Sequence, residues 1–271
     1  MPPARTARIV FLVEGNDSTG HVPTPNDGFA SAWASVDGVE GWMTEGQARL
    51  LWDAASRVAP GGKIAEIGSY RGRSAIVIAK AAPGAGEVAA IDPHAGNDRG
   101  PQQIDGTAGE GEGDHELFHA NLKAAGVDDR IRHVRLPSQG AHAAIEGGLD
   151  MLYIDGAHRY GPAAADIRDW GARVNANGTM CIHDSFASVG VTLAQIRLLF
   201  FSPDWQYVGR SRSLAEYRRT PMSGSAKRSN VFKQIRELGW FARNVTIKVL
   251  LVVKLRPVAK LLDDGRGEWP Y

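Results

Sequence analysis

The stretch AEIGSYRGRSA, Ala65 to Ala75, decides how this chain is read. It follows the short apolar run Lys63–Ile67 and leads into a second apolar run. It therefore reads as a glycine-bearing turn between a buried strand and a helix. Such a turn can hold a dinucleotide, a phosphate or a nucleoside. A dinucleotide fingerprint takes three glycines as GxGxxG, whereas this turn supplies only Gly68 and Gly72. Tyr70 and Arg71 are also too bulky for a backbone that must lie flat against a pyrophosphate. No GxxxxGK[ST] phosphate loop occurs in the chain. Glu66, at the strand end, suits a ligand bearing an ammonium, a carboxylate and a ribose.

Working outward, the runs Val88–Ile91, Ile131–Val134, Met151–Ile154 and Thr179–Ile182 also read as short buried strands. Glu45–Val58, Ser74–Ala82, Glu116–Ala125, Pro162–Val174 and Val191–Phe201 read as helices with an apolar stripe. Alternating strands and helices predict an α/β fold, with a mostly parallel sheet and helices on both faces. The segment WQYVGRSRSLAEYR, residues 205–218, predicts an antiparallel hairpin at the sheet edge.

Composition agrees with one sizeable core. The 271 residues are 43% hydrophobic and 23% charged, enough for a single α/β domain with a small appendage. The one cysteine, Cys181, excludes an internal disulfide framework and suits a reducing compartment. It lies within a predicted strand, where a small buried apolar side chain is expected rather than a nucleophile. The run Ile9–Val13 is too short for a signal peptide, and no segment reaches membrane-spanning length. A cytoplasmic protein is expected.

Charge divides the chain. Residues 226–271 carry ten Lys/Arg against four Asp/Glu, whereas residues 1–225 carry 21 against 26. An acidic main body argues against nucleic acid as a partner. Three regions follow: 1–40, a Gly/Pro/Asp-rich segment able to drape over the sheet edge as a lid; 41–220, the ligand-binding domain; and 221–271, a basic amphipathic arm. The arm suits self-association into a homo-oligomer, with peripheral membrane contact as the alternative and an added strand over Val249–Val253 as another. Asn97–Asp114, rich in glycine and acids, reads as a loop, either a lid or a surface insertion.

Asp92 ends the second predicted strand, twenty-six residues after Glu66. A carboxylate there can accept from both ribose hydroxyls, or it can cap the turn before Pro93. Residues 41–218 resemble the class I S-adenosylmethionine-dependent methyltransferases, whose Rossmann-like fold has seven strands. EIGSYRGRSA is similar to the first cofactor motif of catechol-type O-methyltransferases. That resemblance implies that Glu66, Gly68, Ser69, Tyr70 and Gly72 line the methionine end, that Ser74 binds its carboxylate, and that Asp92 takes the ribose. Ser138 and Gln139 resemble the pair that meets the adenine. IDPHAG and YIDGAHRY resemble bacterial sugar O-methyltransferases, which implies a small-molecule or oligosaccharide acceptor.

Asp155 and Asp184 each follow an apolar strand. Two carboxylates converging at one edge repel unless a cation or proton lies between them, and carboxylate oxygens suit Mg²⁺. Metal-dependent relatives place Asp, Asp and Asn where this chain has Asp155, His183 and Asp184. The histidine is a departure that favours Mn²⁺ or softer ions over Mg²⁺. Asp155, His183 and Asp184 are thus the expected metal ligands, with Asp155 also touching the cofactor. His158 stands where those relatives carry a lysine base, and can itself serve as general base or else shape its loop. His94 is expected in the pocket wall. Two other activities remain open here, an oxidoreductase or hydroxylase on the same scaffold and a non-catalytic cofactor-binding protein.

Overall fold

The apolar runs do form one sheet. The computed structural model describes residues 28–96 and 108–262. Its strands are β1 (Lys63–Ile67), β2 (Glu87–Ile91), β3 (Ile131–Val134), β4 (Leu149–Ile154), β5 (Val174–Ile182), β6 (Trp205–Ser211) and β7 (Leu214–Arg219). They lie in the order β3-β2-β1-β4-β5-β7-β6. The first five pair in parallel, and β7 enters antiparallel between β5 and β6. This is the seven-stranded Rossmann-like arrangement with the expected edge hairpin.

The helices are α1 (Phe29–Ala34), α2 (Glu45–Ser56), α3 (Arg73–Ala81), α4 (Ala108–Ala125), α5 (Tyr160–Ala165), α6 (Val189–Leu198), α7 (Gly224–Val252) and α8 (Arg256–Leu262). Two apolar cores flank the sheet, as buried strands require. One packs Leu51, Ile76, Phe118 and Leu122 from α2, α3 and α4 against Ile64 and Met151. The other packs Ile167, Trp170 and Phe200 against Ile182 and Tyr217. Cys181 is fully buried, and burial pushes its thiol pKa well up, so it fills space as expected.

Two expectations change. Residues 108–114 are helix rather than loop, because α4 begins at Ala108. The glycines there permit close packing: a Cβ on Gly111 would meet the His94 carbonyl oxygen at 2.1 Å. Asp114 is buried and pairs with Arg71 at 2.9 Å, so an acidic composition hid a docked helix. Residues 97–107 lie outside the described residues, as do 1–27 of the expected N-terminal lid. The basic arm is helical through Val252, not a strand, and it docks on the domain. Asn230 accepts from the Tyr207 backbone at 2.7 Å and donates to the Trp205 carbonyl at 3.0 Å. Among the described residues, no helix is long and apolar enough to cross a membrane.

Candidate active site

The order of strands reverses between β1 and β4, the place where open α/β sheets bind ligands beyond their carboxyl ends. There the parallel ladder runs one residue past each strand. Gly68 donates to Ile91, Asp155 to Ile67, Asp92 to Val134 and His183 to Ile154, at 2.8–3.2 Å. Residues singled out in the sequence are thereby fixed along one edge. Gly68 has φ +84°, and a Cβ there would lie 2.1 Å from the Asp155 carbonyl oxygen. Only glycine lets the β1 turn lie across the end of β4.

Glu66 is 1% exposed, and burial raises its pKa to about 8, with Asp155 and Asp92 adding to the effect. Ser74 donates to Glu66 Oε1, so its hydroxyl serves the carboxyl rather than standing open for a ligand carboxylate. Glu66 Oε2 and Ser69 Oγ are buried with no hydrogen-bond partner among the described residues. Native proteins rarely leave such atoms unpaired. A ligand ammonium at Glu66 fits them.

Asp92 braces the turn. Its Oδ2 accepts from the Ser69 and Tyr70 amides at 3.0 and 2.9 Å, and its Oδ1 from the His94 amide at 2.8 Å. A carboxylate has about four lone-pair sites, so capacity remains for ribose. Tyr70, at φ 45°, lies against the exposed Trp42 with ring centroids 5.5 Å apart, and its hydroxyl donates to Glu40 at 3.3 Å. Ser138 is buried and donates to Asp166 at 2.6 Å, while Gln139 is exposed one residue on. Burial raises the Asp166 pKa to about 6. Asp166 opens a π turn at residues 166–170 and was not singled out in the sequence; such turns often mark functional sites.

The ends of β4 and β5 carry the acid–base groups. His158 Nε2 and Asp184 Oδ2 are 2.9 Å apart. Burial works against both charges, yet their mutual attraction prevails, raising the His158 pKa and lowering that of Asp184. Asp155 accepts from Tyr153 OH at 2.9 Å. Potential metal-ligating atoms of Asp155, His158 and Asp184 all lie within 4.8 Å of one another. That set contains His158 where His183 was expected. Gln47, from the capping box of α2, places its side-chain N–H 3.2 Å from His183 Nε2. That contact engages the Nε2 lone pair and leaves the ring proton on Nδ1, which faces Asp155 at 3.1 Å and Asp184 at 3.8 Å. His183 thus lies beside both carboxylates.

Three supports escaped sequence reading. Gly190 of α6 touches the His158 loop so closely that a Cβ would meet the His158 carbonyl oxygen at 2.3 Å. From α7, Asn244 donates to the Phe186 carbonyl and Lys248 to that of Ala187, both at 3.0 Å. These contacts hold the turn on which Asp184 and Phe186 adopt φ of 55° and 57°. No periodicity signals long-range contacts of this kind.

Residues 65–185 match a family model described as a methyltransferase domain. That stretch runs from β1 to the turn after β5 and so takes in both the cofactor turn and the acid–base groups described above. Among solved structures it is similar to a protein from Corynebacterium glutamicum at 12% identity and a TM-score of 0.52, over 74% of this chain and 93% of that one. It is also similar to cofactor-bound Rv0187 from MTB at 18% identity and a TM-score of 0.50, over 72% and 90%. At these identities the likeness concerns the fold.

Proposed function

We propose that the chain transfers the methyl group of S-adenosylmethionine to a hydroxyl oxygen, with a sugar, glycoside or polysaccharide precursor as acceptor. The observation that carries this reading is the meeting of Asp155, His158 and Asp184 across the switch-point crevice from the Glu66–Ser74 turn. An aliphatic hydroxyl is a weak acid, so its attack on a sulfonium methyl needs a proton acceptor. Asp184 engages His158 Nε2, leaving Nδ1 to collect that proton, and the half-buried ring is open to a ligand. Glu66 and Ser69 bind the methionine end, Asp92 the ribose, and Ser138 with Asp166 the adenine side. Holding donor and acceptor in line supplies a large part of the rate. Asp155, His158 and Asp184 are also a fitting set for a divalent cation, Mn²⁺ or Mg²⁺, which when bound would supply Lewis-acid polarisation of the acceptor oxygen. A sugar acceptor is supported by the resemblance of IDPHAG and YIDGAHRY and by the exposed aromatic faces of Trp42 and Tyr160. A screen of sugars, phenols and polyketide glycosides with methyl-labelled cofactor tests the reading. Label in a sugar ether, with release of S-adenosylhomocysteine, is expected. Binding without transfer to any oxygen acceptor would overturn it.

A further inference from the structure

A second histidine-rich cluster lies on the other side of the cofactor turn and takes no part in the chemistry above. His115 and His119 are one helical turn apart on α4, so both project from one face toward β3. His133 on β3 faces them, and potential ligating nitrogens of all three lie within 4.8 Å of one another. Their rings are in contact, with centroids 4.7 Å apart for His115 and His119 and 5.2 Å for His115 and His133.

We propose that His115, His119 and His133 form a transition-metal site suited to Zn²⁺ that ties α4 to β3 beside the cofactor turn. Three imidazoles with one position left for water are a recurrent zinc set. Bound nitrogens in a tetrahedral site sit about 3.4 Å apart, from Zn–N lengths of about 2.0–2.1 Å. His119 is exposed, so its ring has room to turn toward that spacing.

The surroundings prepare these rings as ligands. His115 Nδ1 lies 3.3 Å from Glu112 Oε1, a carboxylate–histidine pairing that leaves Nε2 as the lone-pair atom. His133 Nε2 meets the Asp92 carbonyl oxygen at 3.2 Å, which sets that ring's tautomer in the same way. Burial first, and then the neighbouring rings, hold the His133 pKa down at about 4 and that of His119 below its ordinary value. Both shifts favour the neutral imidazole, the form that ligates a metal.

A fourth imidazole joins the cluster to the cofactor turn. His94 is 5% exposed, packs against His133 and His115, and donates through Nε2 to the Tyr70 carbonyl at 2.7 Å. Its Nδ1 is buried with no hydrogen-bond partner among the described residues. It sits at φ 44°, an uncommon backbone conformation outside glycine.

The test uses full-length protein extracted with EDTA and titrated with Co²⁺, then Zn²⁺. In wild type and in Asp184→Ala, one equivalent of Co²⁺ should give the visible d–d bands of a low-coordinate imidazole site, and Zn²⁺ should quench them. Zn²⁺ should also raise the melting temperature of both proteins. His119→Ala alters an exposed side chain, so the fold is retained. It should abolish the bands and the Zn²⁺-dependent rise, with Zn²⁺ affinity down at least about tenfold. Bands that survive His119→Ala but vanish in Asp184→Ala would overturn the proposal, as would absence of stoichiometric binding by the wild type.

Discussion

His158 and Asp184 are joined through Nε2 and Oδ2 at 2.9 Å, across the ends of two adjacent parallel strands. The pair sets a pH requirement. Its charges hold the His158 pKa above the ordinary 6.5 although burial pulls the other way. A general base works only when deprotonated, so kcat should rise with pH through a value above 6.5 and then level off. His158→Ala should lower kcat by about 10²–10⁴-fold and remove that limb, with S-adenosylmethionine affinity little changed. A fully active variant would place the base elsewhere.

The same imidazole can ligate a cation or accept a proton, but its one free lone pair cannot do both. EDTA separates the two uses. If a cation assists, chelation should stop turnover, leave S-adenosylhomocysteine binding nearly intact, and be reversed by Mn²⁺. Asp184→Ala should then match the chelated enzyme. An EDTA-resistant rate with an inactive His158→Ala variant would leave acid–base catalysis without metal.

Glu66 predicts a stability effect of the opposite sense to most carboxylates. Its pKa rises from 4.5 to about 8 on folding, so the folded state holds the proton more tightly than the unfolded chain. The resulting stability is full below pH 4.5 and is lost as pH climbs toward 8. Without cofactor, Glu66→Gln should gain on wild type over that window by on the order of a few kcal/mol in thermal melts. With S-adenosylhomocysteine present the order should reverse, because the glutamine cannot hold an ammonium by charge. A variant whose melting temperature tracks wild type at every pH would contradict this.

Two glycines separate backbone conformation from close approach. Gly61 and Gly68 have φ of +80° and +84°, but a Cβ on Gly61 meets nothing within 4 Å, whereas on Gly68 it strikes Asp155. Gly61→Ala should cost about 1–2 kcal/mol, the left-handed penalty alone. Gly68→Ala should cost at least about 1–3 kcal/mol more, from overpacking, and should displace the Asp155 end of β4. Equal losses in chemical denaturation would mean the turn relaxes freely.

The contrast between these glycines also shows what the sequence could express. Strands and their order of use were legible because buried parallel strands read as apolar runs ending at Glu66, Asp92, Asp155 and His183. Residue type pointed to Asp155 and Asp184 because carboxylates converging beyond such strands need a partner, whereas His158 stood out through the resemblance to catechol-type enzymes. The partners themselves were not legible. Gln47 reaches His183 across 136 positions, and Ser138 meets Asp166 across 28, at the start of the π turn. Residues 108–114 misled because glycine and acid, which usually mark loops, here permit a helix to lie against the His94 backbone and Arg71.

The basic C-terminal segment gives the last prediction. The charge break near residue 225 suggests a detachable arm, yet Asn244 and Lys248 hold the Phe186–Ala187 backbone beside Asp184. The Asn244 amide is buried, and removing it strands the Phe186 carbonyl at a cost of about 1–3 kcal/mol. Truncation after Ser225 should therefore lower stability and kcat together, because the Asp184 turn loses its support. Truncation after Val253 keeps these anchors and should leave methyl transfer intact. Among the basic residues that α7 leaves outward stand apolar ones: Phe232, Ile235, Val249 and Val252 are all exposed, and Val252 reaches 76%. We propose that these exposed apolar residues drive self-association. Phe232→Glu combined with Val249→Glu should shift the protein toward monomer in light scattering without altering its melting curve. A monomeric wild type would refute self-association, and full activity after truncation at Ser225 would show that α7 gives Asp184 no needed support.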